Sequence, residues 1–305
     1  MLVNLAMPLD NRAASDDKAQ YPISRESTAR LVKYVIANGM DGIVFGDRVE
    51  LGRMSYRERA RYYMQTVDTV GGAVPTYAVA CASSTQGALR LVRVAARAGA
   101  TGVVASFPAL LPNQRNLAGY FRDVIEVARS LNLEVYLADE PRGESISPEV
   151  MEDVGYSGIR GIMWGRYDTL DLDTIRIRKP DACRILARND YIGRELAHDV
   201  DGTISDIANI DPLGIGYFFR ELHAAKQLTP ELGGIWARYL PLLRLMRTDR
   251  VMVRACIENA LAHTFPEGFP VFSMAPRGKL DVAQENQLRL ALEQMKPKDI
   301  HPVRR

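Results

Sequence analysis

Charged side chains follow three short apolar runs of this sequence, and their types suit the binding of a small acid. An arginine guanidinium can hold a carboxylate or a phosphate through two parallel hydrogen bonds, and a carboxylate can accept a proton as a general base. The charged residues after the three runs are Asp47, Arg48 and Glu50, then Asp139, Glu140 and Arg142, and finally Arg166. In the simpler interpretation, which we weigh slightly higher for each residue, these are loop charges that pair with one another.

The apolar runs alternate with segments of helical periodicity, at spacings of about 20 to 35 residues that suit parallel strands joined by right-handed crossovers. Eight such units close into a (β/α)₈ TIM barrel, which is an α/β fold. The predicted strands are 3–7, 41–46, 75–81, 102–107, 134–139, 159–163, 183–187 and 202–205.

Past Asp211-Pro212 the alternation stops, and four segments keep only helical periodicity, at 213–227, 229–246, 251–263 and 281–295. We therefore predict a barrel over 1–211 and a C-terminal helical region over 212–305 that packs on the barrel. Because loops at the C-terminal ends of barrel strands form the active site, the charged residues above should gather at that end.

Strand six runs directly into Met163, Trp164 and Arg166. A methionine inside a barrel is usually core filler. The alternative is that Met163 and Trp164 form an apolar pocket floor against the flat face of a ligand. Both interpretations stay open at this point.

Other kinds of site find less support. Asp139, Glu140 and Asp206 carry the oxygens that a hard divalent cation prefers, but their spacing matches no metal-binding motif. We expect no metal and no other cofactor. Ser83 and Ser84 have no histidine partner within reach, which disfavours a serine triad.

Composition limits the partners and the compartment. The chain has 305 residues, 47% of them hydrophobic and 25% charged, with a net charge of +2 and dispersed basic residues, so we expect no nucleic-acid partner. No stretch reaches the roughly 18 apolar residues of a membrane span. Three widely separated cysteines, Cys81, Cys183 and Cys256, predict free thiols and a cytoplasmic location.

Several short motifs, taken in chain order, resemble the dihydrodipicolinate synthase and N-acetylneuraminate lyase family of class I aldolases. The motifs are Asp41-Gly42-Ile43-Val44 with Gly46 and Glu50, Pro75 with Ala82-Ser83-Ser84-Thr85, Pro141, Ser147-Pro148-Glu149, and Gly202-Thr203-Ile204-Ser205 before Ala208-Asn209. The resemblance implies a small carboxylic acid as ligand, adds Ile204 to the candidate contacts, and implies a homo-oligomer, either a dimer or a tetramer.

The family's chemistry depends on a lysine at the end of strand six, in a Gly-Ile-Lys-Asp context, which forms a Schiff base with a 2-oxo acid. This sequence has Gly161-Ile162-Met163-Trp164, and a thioether cannot form an imine. We place none of the seven lysines at the C-terminal end of a strand, and Lys179 falls at the opposite end.

Other family positions differ as well. The family's proton-relay tyrosine aligns with Ala138, and its carboxylate-binding Gly-Thr-Thr-Gly-Glu loop aligns with Gly46-Asp47-Arg48-Val49-Glu50. The family's tyrosine pair falls near Pro108 and Ala109, and Arg142 is displaced by one position from the substrate-binding arginine. No catalytic residue can therefore be assigned.

Two hypotheses follow. In the first, the protein binds a small oxo- or hydroxy-acid without Schiff-base aldolase chemistry. In the second, it is an active lyase or hydratase on such an acid, and it uses carboxylates, arginines or a metal in place of the imine. We favour the first.

Overall fold

The computed structural model describes residues 1–6, 24–46, 51, 54–107, 114–139, 146–165, 170–188, 200–246, 250–265, 269 and 280–295. Eight parallel strands pair in chain order, and β1 pairs with both β2 and β8, so the sheet is closed. The predicted (β/α)₈ barrel is confirmed. The strands are β1 Leu2–Leu5, β2 Gly42–Phe45, β3 Thr76–Ala80, β4 Gly102–Ala105, β5 Glu134–Ala138, β6 Gly161–Trp164, β7 Arg184–Arg188 and β8 Gly202–Ser205.

In the described part of the chain, helices lie between successive strands from β1 to β7, and further helices follow β8 as predicted. Those between strands are α1 Arg25–Ala37, α2 Tyr56–Val70, α3 Thr85–Ala98, α4 Gln114–Ser130, α5 Pro148–Val154 and α6 Leu170–Arg178. Those after β8 are α7 Pro212–Ala225, α8 Pro230–Met246, α9 Arg250–Thr264 and α10 Val282–Met295. In the described part of the chain, no helix is both long and apolar enough to cross a membrane.

The starts of three helices follow directly from local sequence. Ser55 and Glu58 form a capping box at the start of α2. Ser147 caps α5, with Pro148 in its first turn. The Ser84 hydroxyl accepts a hydrogen bond from the Gly87 amide at the start of α3, so this serine has a structural role.

Aromatic contacts identify the outer face of the strands. The ring of Phe45 in β2 packs edge-on against Tyr62 and Tyr63 of α2, with centroids 5.7 and 5.5 Å apart. Phe107, just after β4, packs against Phe121 of α4 at 5.8 Å. Because successive side chains of a strand point to opposite faces, the residues that alternate with Phe45 face the barrel interior.

The register then sorts the interior residues into layers. The strands of a (β/α)₈ barrel are tilted relative to the barrel axis, and each layer of interior side chains takes one residue from every second strand. From one contributing strand to the next, the layer moves two residues further along the chain than the strand register alone would place it. One such layer consists entirely of glycine, with one residue from each even-numbered strand: Gly42, Gly102, Gly161 and Gly202.

Large side chains from the odd-numbered strands fill the space that these glycines leave. A Cβ on Gly161 would lie 2.9 Å from the ring of Tyr136, and a Cβ on Gly42 would lie 2.7 Å from Leu2. The ring of Tyr136 also packs edge-on against Tyr77, 5.1 Å between centroids. The glycine layer is therefore needed for close packing at the N-terminal end of the barrel.

A polar cluster closes the same end. The Tyr77 hydroxyl donates a hydrogen bond of 2.8 Å to the Glu134 carboxylate, and Arg160 lies 3.7 Å from the same carboxylate. Burial, followed by the bond to Glu134, raises the pKa of Tyr77, so the phenol stays protonated. This cluster and the glycine layer therefore fill the N-terminal end of the barrel interior.

Candidate functional site

Met163 lies inside the barrel, near the C-terminal end of β6. Its layer takes one residue from each even-numbered strand, and the other members are Val44, Val104 and Ile204. Met163 is 6% exposed and Ile204 is half-buried, whereas Val44 and Val104 are buried. The layer consists only of hydrocarbon and thioether groups, so it can contact the apolar part of a ligand but cannot exchange protons with it.

The next layer toward the C-terminal end comes from the odd-numbered strands. Val79 and Ala138 belong to this layer. Val79 is 8% exposed, and Ala138, the register partner of Met163, is half-buried. The single methyl group of Ala138 leaves more space above Met163 than a larger side chain would leave.

Trp164 does not share the pocket floor with Met163. It follows Met163 in the strand and pairs in register with Ala187, so its side chain lies on the helix-facing side of the sheet. It is fully buried. The alternative in which Met163 and Trp164 together form an apolar pocket floor does not fit the position of Trp164, which packs between the sheet and the surrounding helices.

Asp139 is 4% exposed and is held by backbone groups. Its carboxylate accepts a hydrogen bond of 2.9 Å from the Ile146 amide, and its own amide donates to the Met163 carbonyl at 2.9 Å. These bonds extend the pairing of β5 with β6 and fix the chain where α5 is about to begin. Asp139 is thus close to Met163 in the fold, and its carboxylate has a structural role as the acceptor of the Ile146 amide.

The segment after β8 is hydrogen-bonded to the end of β1, beside the place where the first and last strands pair. The Asn209 side chain accepts a hydrogen bond of 2.9 Å from the Ala6 amide, which follows β1, and the Ser205 hydroxyl accepts one of 3.0 Å from the Ala208 amide. These bonds explain the motif around Ile204 as barrel closure. Asp206 is half-buried beside them.

Six predicted ligand contacts lie outside the described residues. They are Asp47, Arg48, Glu50, Glu140, Arg142 and Arg166. Each belongs to a segment that follows β2, β5 or β6 in the chain, so the prediction that they gather at the C-terminal end of the barrel stays a prediction. Within the described residues, no three histidine, cysteine or acidic side chains cluster as metal ligands.

The described lysines lie away from Met163. Lys179 precedes β7, and its amine is 3.7 Å from Asp201, which precedes β8, so both lie at the N-terminal end as predicted. Lys226 caps the C-terminus of α7, and Lys33 is exposed on α1. The other lysines fall outside the described residues.

Sequence reasoning missed Val44, Val79 and Val104 as interior neighbours of Met163. The signal was present, since each of these valines lies within a predicted strand. The face of the sheet on which each valine lies could be assigned only from the strand register, however, because a shift of one residue moves a side chain to the other face.

A closed barrel of eight parallel strands followed by C-terminal helices is the architecture of a (β/α)₈ barrel protein. Residues 16–253 match the model of the dihydrodipicolinate synthetase family. This match covers most of the chain, and the protein belongs to that family.

Two relatives illustrate the sequence similarity of this chain to named proteins. The chain is 28% identical over 242 residues to the 4-hydroxy-tetrahydrodipicolinate synthase of Thermotoga petrophila, covering 71% of this chain and 79% of the relative. It is 26% identical over 259 residues to a probable 2-dehydro-3-deoxy-D-pentonate aldolase of Escherichia coli, covering 78% and 84%. These relatives differ from each other in their named reaction.

Solved structures support the fold assignment. The 4-hydroxy-tetrahydrodipicolinate synthase of Methylacidiphilum fumariolicum superposes with a TM-score of 0.83 at 20% identity, over 97% of this chain and 95% of that one. A prophage protein of Escherichia coli from the dihydrodipicolinic acid synthase family, solved with pyruvate, gives 0.82 at 22% identity, over 97% and 98%. At this identity the likeness shows the fold alone.

Proposed function

We propose that this protein binds a small oxo- or hydroxy-acid at the C-terminal end of its barrel and lacks Schiff-base aldolase chemistry. The observation that carries the proposal is Met163, which faces the barrel interior at the end of β6. In the Gly-Ile-Lys-Asp motif of the family this position holds the lysine. A thioether has no nitrogen with which to form an imine, and so supplies no electron sink.

The surroundings of Met163 support the proposal. Val44, Val104 and Ile204 complete its layer, and Ala138 pairs with it across the sheet. Ala138 aligns with the family's relay tyrosine, so the position that would carry a proton in the family holds a methyl group here. The acid group of the ligand would then be held by the charged residues predicted at the mouth.

Calorimetric titration with a panel of 2-oxo and 2-hydroxy acids tests the binding part of the proposal, and product assays with the same protein test the rest. We expect saturable binding of at least one acid. We expect neither 4-hydroxy-tetrahydrodipicolinate nor sialic-acid cleavage products to form. Formation of either product would contradict the proposal.

We also propose a homo-oligomer, and α6 offers a surface for it. Leu170 and Ile177 are 74% and 78% exposed, and they lie seven residues apart on one side of this helix. Exposed aliphatic side chains that share one face are typical of a contact between subunits. Light scattering measures the molar mass in solution. A molar mass equal to that of one chain, and the same in the wild type and in Leu170→Asp, would contradict a homo-oligomer.

A further inference from the structure

A second cleft lies at the N-terminal end of the barrel, away from Met163. It has a volume of about 210 Å³ and forms between the start of β8 and the C-terminal half of α7. Its lining residues all belong to the described part of the chain. No step of the function proposed above uses it.

The inner wall of this cleft is apolar. Phe219 and Leu222 of α7 are 7% and 2% exposed, and Val200, just before β8, is 2% exposed. Side chains that are this buried are held by packing, so the wall is preformed. A hydrocarbon chain placed against it would lose apolar surface to water, which favours binding.

The rim of the cleft carries basic side chains. Arg220, His223 and Lys226 come from the last turns of α7 and its C-cap, and all three are exposed. Among the described residues that line the cleft, Asp201 is the single carboxylate. Its oxygen accepts a 2.7 Å hydrogen bond from the Ile185 amide and lies 3.7 Å from the amine of Lys179, so its charge is already balanced.

We propose that this cleft is a binding site for a small carboxylate with a short aliphatic chain. The basic rim takes the carboxylate, and the wall of Phe219, Leu222 and Val200 takes the chain. The cleft volume of about 210 Å³ lies below the roughly 300 to 1,000 Å³ of sites for drug-sized ligands, which suits an acid with a short chain.

A competing role for the same cations is purely structural. Basic side chains at a helix C-terminus interact favourably with the helix dipole, and Arg220, His223 and Lys226 satisfy that description without any ligand. This role predicts that removing the charges lowers stability slightly and leaves the binding of acids unchanged. The proposed site predicts the opposite pattern for binding.

Hexanoate and hexylammonium form a matched pair of probes, since they share an aliphatic chain and differ in the sign of the head group. We expect chemical-shift titration of the full chain to show saturable binding of hexanoate and none of hexylammonium. The variant Arg220→Ala with Lys226→Ala should bind hexanoate about tenfold more weakly, as expected for the loss of a hydrogen bond to a charged group.

Two control variants separate charge at the cleft from charge in general. Arg220→Lys with Lys226→Arg keeps both charges and should bind hexanoate as the wild type does. Lys33→Ala with Arg90→Ala removes two exposed charges from α1 and α3 and should also leave binding unchanged. Equal affinity in the alanine variant at the cleft, or no hexanoate binding by the wild type at millimolar concentrations, would overturn the proposal. The first result would place hexanoate elsewhere, including the barrel mouth.

Discussion

Ala138 and Met163 are register partners on β5 and β6, and both face the interior of the barrel. The pair brings a methyl group and a thioether together at the positions that, in the proposed alignment, correspond to the family's tyrosine and lysine. One substitution alone would remove either the nucleophile or the proton relay. Their joint presence on neighbouring strands means that a single reversion should not rebuild the chemistry.

The variant Met163→Lys tests this directly. We expect no pyruvate condensation, because Ala138 cannot relay a proton and the loop after β2 lacks the family's hydroxyl groups. An amine placed among Val44, Val104 and Ile204 is also desolvated, so the variant should unfold at a lower temperature than the wild type. A coupled condensation assay and a thermal scan measure both effects. Recovery of condensation in this single variant would refute the account.

Two variants of Asp139 distinguish a structural role of its carboxylate from a role in the site. Asp139→Asn keeps an oxygen that can accept the Ile146 amide, so we expect nearly unchanged stability and ligand affinity. Asp139→Ala leaves that buried amide without this acceptor, which costs about 1 to 3 kcal/mol. Chemical denaturation and calorimetry measure the two variants. A large loss of ligand affinity in Asp139→Asn, at unchanged stability, would instead assign the carboxylate to the site.

The glycine layer predicts a sharp contrast between two glycine-to-alanine variants. A Cβ on Gly161 would lie 2.2 Å from the Arg184 carbonyl oxygen and 2.9 Å from the Tyr136 ring. We therefore expect Gly161→Ala to destabilise the fold by about 2 kcal/mol or more. Gly233→Ala in α8 meets nothing within 4 Å and should stabilise it by about 0.5 to 1 kcal/mol. Equal unfolding free energies for the two variants would argue against the layer.

The cysteines predict a pH dependence of reactivity and stability. Burial raises the pKa of Cys183 to about 11 and that of Cys256 to about 12. Both thiols should resist iodoacetamide at pH 8 in the folded protein and react after denaturation, as read by intact mass. The unfolded thiols ionise above about pH 8.5 while the folded ones stay protonated, so stability should fall as the pH rises toward 11. Rapid alkylation of the native protein at pH 8 would contradict this placement.

The fold was predictable because its signals are local. Each strand is a short apolar run, and Ser55 with Glu58 marks a helix start within four residues of sequence. All three cysteines are free thiols, as predicted, and the structure shows that all three are buried.

The site was less predictable because the face of the sheet on which a side chain lies depends on the register between strands that are distant in the sequence. Predicted strand six ended at Met163, whereas β6 spans Gly161–Trp164, and sequence alone could not separate the faces of Met163 and Trp164. The glycine layer joins residues as distant as Gly42 and Gly202, which only barrel closure brings together. The hydrogen bond that the Ile146 amide donates to the Asp139 carboxylate likewise joins the two ends of a connection, and the sequence does not reveal the path of that connection.

Borohydride trapping followed by intact mass measurement tests the central claim most directly. The protein is incubated with pyruvate and a panel of 2-oxo acids, and a family member that carries the strand-six lysine serves as the positive control. The account predicts no reduced adduct on this chain under conditions in which the control is fully labelled. A stoichiometric adduct would contradict it, because one of the chain's lysines would then have to lie within reach of the bound acid.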